Sequence, residues 1–227
     1  MLPDDRARAR QEWQNRVTAE YRSAAVTGQL LHWLIQAAFS DELVRVAIRI
    51  VGDELDHSKL SYDCLVSLGG GDEPAVMDIA HLAEPVSSDG LLASITDSVV
   101  RNFCLGETFA VPLFGAMRDQ TFDPMAKQVL DRVLRDEAVH RAFGWDALDE
   151  LIERDPVGVR LRIQQFLPQW IREFERGYGT PRPTVPLSDM EKAVGLLDLA
   201  KYVEIFRETL NDDIRARFAK RAIELPS

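Results

Sequence analysis

Cysteine is almost missing from this chain of 227 residues: Cys64 and Cys104 are the only two, far apart and each within an apolar run. That excludes a paired-cysteine metal knuckle, a rubredoxin-like C-x-x-C module and a dense disulfide framework, and it fits a reducing cytoplasm. Positive charge is in short supply too. Lysine and arginine total 27 against 37 aspartates and glutamates, for a net charge of −10. A polyanionic partner needs concentrated positive charge, so nucleic acid is not expected. Arg6, Arg8 and Arg10 near one end, and Arg215, Arg217, Lys220 and Arg221 near the other, read as solvated helix ends. No apolar run approaches the roughly 20 residues that span a bilayer, and the charged N-terminus lacks a signal core, so no membrane partner is expected. Sustained period-two alternation with hairpin turn chemistry is likewise absent, which argues against strands.

What the chain does have is apolar residues at helical spacing almost throughout, in a composition that is 46% hydrophobic and 28% charged. An all-α fold follows, and the length suits a single domain over 1–227. Punctuation divides it. A first helix covers about 10–38, and Ser40 or Asp41 caps a second that stops at Gly69-Gly70-Gly71. Residues 72–88, with Pro74, His81 and Pro85, are long enough to cross the end of a bundle. A third helix fits about 89–118, and Asp123-Pro124 opens a fourth that runs to about Arg154. Two antiparallel helix hairpins with a long crossover make a four-helix bundle over 10–153. Residues 154–227 form a C-terminal helical extension. Pro168 should kink or restart its first helix. A Pro-rich break at 177–187 reads as a connector or a lid, and Ser188 with Glu191 as a capping box. Whether the extension packs outside the bundle, covers one end or serves an oligomer interface stays open.

Two segments carry the chemistry: Asp53-Glu54-Leu55-Asp56-His57 and Asp136-Glu137-Ala138-Val139-His140. Both read D-E-x-x-H, and on a helix residues three apart share a face, so each Glu and His can hold one ion. Glu20 precedes the first motif and Glu107 the second. With a rise of about 1.5 Å per residue, a chain that climbs one helix and descends the next regains its depth after roughly 30 residues plus a loop. Both separations are of that size. Glu12 is the only other glutamate on the first helix. Phe103, Ala110, Val111 and Phe114 flank Glu107, and an unpaired carboxylate buried there would cost several kcal/mol or take up a proton. The expected ligands are therefore Glu20, Glu54, His57, Glu107, Glu137 and His140. Hard carboxylates with one imidazole per ion suit two Fe ions, with a Mn/Fe pair as second choice. Asp53 and Asp136 are expected to accept the outer N–H of a ligand histidine, from their own or the facing helix. Phe103, Cys104 and Val111 are expected to line a substrate pocket, with plain core as the alternative for the small buried Cys104. His32 should face elsewhere, His81 should lie at the surface, Tyr21 should be an ordinary interior tyrosine, and Glu204 with Glu208 should be solvated.

A glutamate, then E-x-x-H, then a glutamate, then E-x-x-H resembles the ligand set of the ferritin-like di-iron carboxylate superfamily, over about residues 10–153. The run Val133 to Gly144 and the piece Glu107-Thr108-Phe109-Ala110 are also similar to the aldehyde-deformylating oxygenases. The resemblance implies Glu20 and Glu107 as terminal ligands, Glu54 and Glu137 as bridging ligands, and His57 and His140 as nitrogen ligands. It implies an oxidoreductase, an oxygenase or oxidase, that activates O2 to oxidise a small organic substrate by hydroxylation, N-oxygenation, desaturation or C–C cleavage. An external electron donor is then required, and a monomer or homodimer fits this reading. The alternatives are ferritin- or rubrerythrin-like iron oxidation or peroxide detoxification, and a metal-free helical interaction protein.

Overall fold

The computed structural model describes residues 3–71, 77–78, 82–180 and 185–225. Among them all regular structure is helical. Helix α1 spans Pro3–Gln36 and α2 Asp41–Ser67. Helix α3 has three pieces, Leu91–Ser98, a π-helical stretch Val99–Glu107 and Thr108–Gln120. Helix α4 is Pro124–Arg154, and α5 is Gly158–Phe174 with a π turn at Glu175–Gly179. Short α6 is Asp189–Ala193, and α7, Leu199–Glu208, continues through a π turn at Thr209–Ile214 into Arg215–Ala219. No helix among the described residues is long and apolar enough to cross a membrane.

Local chemistry sets most of these ends. Ser40 Oγ accepts from the Leu43 amide at the start of α2, and Asp123 accepts from the Ala126 amide at 2.9 Å at the start of α4, with Pro124 at the first helical position. Past the end of α2, Gly69 takes φ 81°, which a side chain would resist. Ser188 and Glu191 form the expected capping box. Two ends were less legible. Helix α1 begins well before residue 10 because Ala9 and Trp13 are buried against the distant chain: Ala9 clusters with Val194 and Leu196, and Trp13 Nε1 donates to the Val194 carbonyl at 3.0 Å. Helix α5 runs through Pro168 without interruption. Pro74 and His81 of the crossover, and Pro181 and Pro183 of the proline-rich break, lie outside the described residues.

Cross-helix bonds give the directions. Ser23 donates to Glu54 at 2.9 Å and Ser58 to the Val17 carbonyl at 3.0 Å, so α1 and α2 are antiparallel. Cys104 meets Gly144 while Arg118 meets Asp131, so α3 and α4 are antiparallel. His57 faces Asp136 while Asp53 faces His140, so α2 and α4 are antiparallel as well. Helix α3 must therefore run with α2, and the chain between them has to travel the length of the bundle. Gln29 of α1 pins it on the way, exchanging two hydrogen bonds, of 3.1 and 2.7 Å, with the Glu84 backbone.

Between α3 and α4 the backbones nearly touch: a Cβ on Gly144 would sit 2.4 Å from the Phe103 Cβ. Phe103 packs edge-on against Phe143 at 4.9 Å, and Trp145 Nε1 donates to Thr108 Oγ1 at 3.0 Å. The extension lies along α1 and α3. Phe109 of α3 is ringed by Phe174, Tyr178 and Phe206, at 5.4, 5.1 and 6.0 Å, all supplied by the extension. Arg8 binds the fully buried Glu191 with Nη2 at 2.7 Å, and Arg16 donates to the Gly195 carbonyl at 2.6 Å.

Candidate metal centre

The middle turns of α1 to α4 bring the six expected residues into one interior site. Glu54, His57, Glu137 and His140 are essentially inaccessible, and Glu20 is buried beside them. Glu107 is partly exposed, into a cavity described below. Donor atoms fall into two groups whose members lie within 4.8 Å of one another: Glu20, Glu54, His57 and Glu137, and then Glu54, Glu107 and His140. Glu54 belongs to both.

Imidazole orientation is the informative detail. His57 Nδ1 lies 3.6 Å from Glu54 Oε2 and 3.8 Å from Glu137 Oε1. His140 Nδ1 lies 3.5 Å from Glu54 Oε1 and 3.2 Å from Glu137 Oε2. Both Nδ1 atoms, with Glu54 Oε2 and Glu137 Oε2, are buried and have no hydrogen-bond partner among the described residues. Buried polar atoms of that kind ordinarily find one. Donors about 2.0–2.2 Å from a common ion stand about 3–4 Å from each other, which is the separation these orphaned atoms show. The residues present fit a metal site.

On the outer side of each ring, His57 Nε2 meets Asp136 Oδ2 at 3.2 Å, whereas His140 Nε2 stops 3.5 Å from Asp53 Oδ2, short of a well-formed hydrogen bond. The aspartates thus serve the facing helix, not their own. Asp136 is held at about 2: burial opposes the charged form, but hydrogen bonds from Arg132, His57 and Arg135 outweigh it.

The four glutamates behave oppositely. Burial, reinforced by neighbouring Glu107, pushes Glu54 up to about 7. Burial and Glu54 raise Glu20, burial and Glu137 raise Glu107, and burial leads the rise at Glu137. Glu20 lies against Glu54 and Glu107 against Glu137 as carboxyl pairs. Without cations such pairs hold protons; with two divalent ions the four charges are neutralised.

A cavity of about 360 Å3 opens over Glu107, between Arg22 and Thr27 of α1, Arg101 and Asn102 of the π stretch, and Trp170 and Tyr178 of the extension. A second cavity, of about 690 Å3, reaches Glu20 past Leu113, Met117 and Tyr202, with Tyr178 again in its wall. Phe103, Cys104 and Val111, expected to line the pocket, are not among the walls of either cavity. Phe103 and Cys104 turn instead into the α3–α4 contact, where Cys104 Sγ approaches the Gly144 carbonyl at 3.4 Å. Placing Cys104 beside Glu107 assumed an α-helical turn, but Val99–Glu107 is π-helical, with i+5 closure, so residues three apart no longer share a face.

Several contributors were not foreseen. Ser23 donates to Glu54, Tyr178 lines both cavities, and Arg49 and Arg132 bind the outer aspartates. A signal for the arginines was present: each stands four residues before its Asp, extending both motifs to R-x-x-x-D-E-x-x-H. His32 is exposed, as are Glu204 and Glu208. Tyr21 is exposed rather than interior, because Glu20 takes the inward position next to it. No protein-family model, curated protein or solved structure matches this chain.

Proposed function

We propose that Glu20, Glu54, His57, Glu107, Glu137 and His140 bind two divalent metal ions, iron first and a manganese/iron pair second, in a ferritin-like bundle, and that the chain is a non-haem di-iron oxidoreductase. It uses O2 to oxidise a small organic substrate. The observation that carries this reading is the set of buried, partnerless Nδ1 and carboxylate oxygen atoms converging from α2 and α4, with Glu20 and Glu107 closing the two ends. Carboxylates with one imidazole per ion suit iron or manganese.

Iron held by these six residues would supply electrons for dioxygen reduction. The chain's own groups do the rest. Glu107 forms the floor of the smaller cavity, so a molecule held against Arg101, Asn102 and Trp170 lies beside the centre. Phe174 and Tyr178 of the extension, packed against Phe109, form part of that cavity's wall. Ser23 fixes one oxygen of Glu54 by its hydrogen bond. An outside protein or small carrier must deliver the electrons.

Glu107→Ala and His140→Ala should each abolish stoichiometric iron binding and oxygen uptake. Retention of two metals per chain in both variants would end the assignment. The cavity over Glu107 favours an organic substrate over iron storage; elution as a cage-sized assembly would reverse that preference. Purification from iron-supplemented cells with no bound metal would leave the interaction-protein reading.

A further inference from the structure

The two arginines behind the histidines form a structure with the same pseudo-symmetry as the centre. Arg49 Nε lies 3.2 Å from Asp53 Oδ2, one turn along α2, and Arg132 Nε bonds Asp136 Oδ2, one turn along α4. Each then reaches across to the other helix: Arg132 Nη2 donates to Asp53 Oδ1 at 3.0 Å, and Arg49 Nη2 comes within 3.7 Å of Asp136 Oδ1. The aspartates in turn face the opposite histidines. Arg135, 3.3 Å from Asp136, and Asp56, 3.4 Å from Arg132, are the remaining charges in contact.

This differs from an ordinary surface ion pair. The Asp136 and Asp53 side chains are only 2% and 10% exposed, and they abut histidines that are fully buried. Two positive and two negative charges cancel here, in a layer separate from the four glutamates. Exposed i,i+4 pairs contribute little, but a guanidinium presents a rigid fork of donors that fixes direction as well as charge.

We propose that Arg132 and Arg49 are positioning residues of the metal centre: spanning both aspartates, they set both imidazoles at once, Nε2 outward and Nδ1 inward, so the two half-sites are not independent. The metal part of this inference rests on the function proposed above; the ring orientation does not. Without Arg132 the two aspartates lose the cation between them, His57 loses the fixed acceptor behind it, and His140 loses the carboxylate held 3.5 Å from its Nε2. The cross-arm of Arg49 is the longer, so its contribution is the smaller.

The test uses the full chain with Arg132→Gln, Arg132→Lys and Arg49→Gln, and with Asp53→Asn and Asp136→Asn as controls that each touch one histidine. Nitrogen-15 NMR of the metal-free protein reads the tautomers of His57 and His140. Titration with Co(II) alone, followed by its visible absorption, reads the two sites. Arg132→Gln is expected to disturb both histidines and to weaken both Co(II) sites by about 10- to 100-fold, the range for loss of groups behind metal ligands. Arg132→Lys should recover part of this, and Arg49→Gln should act in the same direction but less. Asp136→Asn should act mainly through His57 and Asp53→Asn through His140. The proposal is overturned if Arg132→Gln, or Arg132→Lys should the first not fold by circular dichroism, alters only His57 or neither histidine. A wild-type protein with the expected tautomers that binds no Co(II) would refute the metal reading and leave the arginine clamp standing.

Discussion

Glu54 concentrates the tension between stability and function at the level of single residues. It is buried, shares its surroundings with Glu20 and Glu107, and is pushed up to about 7. A carboxyl raised in the folded state stabilises fully below its ordinary 4.5, and that contribution is lost as pH rises through the folded value. Metal-free protein should therefore melt at lower temperature at pH 8 than at pH 6. Glu20, Glu107 and Glu137 add in the same direction. Asp136, held at about 2, has the opposite sign, and its contribution disappears only in strong acid. Glu54→Gln keeps the shape and removes the charge, so at pH 8 the metal-free variant should be more stable than wild type by about 1–3 kcal/mol. Its metal content should fall at the same time. Thermal denaturation with and without chelator checks both, and a variant that is destabilised and still metal-loaded would contradict the assignment of Glu54.

Among the elements, the α3–α4 contact matters most because both helices carry site residues. Gly144→Ala would place a Cβ 2.4 Å from the Phe103 Cβ and 3.0 Å from its backbone carbon, and backbone cannot swing aside as a flexible side chain can. The expected cost is about 1–3 kcal/mol in chemical denaturation, accompanied by weaker metal binding as Glu107 and Glu137 are pushed apart. Wild-type stability in that variant would show that the crossing has more slack than its geometry implies. Much of the element pattern was legible beforehand. Ser40, Asp123 with Pro124, and Ser188 with Glu191 marked helix starts through caps that depend on a few adjacent residues. The π stretch was not legible. Periodicity arguments presuppose one residue spacing per turn, and nothing in Val99 to Glu107 announces a wider one. The misplacement of Cys104, three residues before Glu107, follows from that departure.

For the molecule as a whole, the extension and the centre are linked through Phe109. Three aromatic rings from the extension close on it, and two of them belong to the stretch that borders the cavity over Glu107. Phe109→Ala should cost about 3–5 kcal/mol and admit solvent to the centre. Faster quenching of buried-site fluorescence or faster loss of metal to chelator would report the opening; unchanged metal release would deny the extension a shielding role. Metal loading should also stabilise the whole fold, by about 2.7 kcal/mol at a free concentration a hundred times Kd. Bound cations compete with protons for the same carboxylates and imidazoles, so loading should reverse the pH trend of the metal-free protein.

The amino-acid order alone determined the helical character, most helix starts, and the candidacy of Glu20, Glu54, His57, Glu107, Glu137 and His140, because capping and i, i+3 spacing act over one or two turns of chain. It also carries an arginine four residues before each aspartate. Tertiary structure alone decided that Asp53 faces His140 and Asp136 faces His57, that Arg132 bridges the two aspartates, and that Tyr178 lines both cavities. Those relations depend on which faces of separate helices meet, and that is set by packing across the core, which spacing along a single helix does not encode.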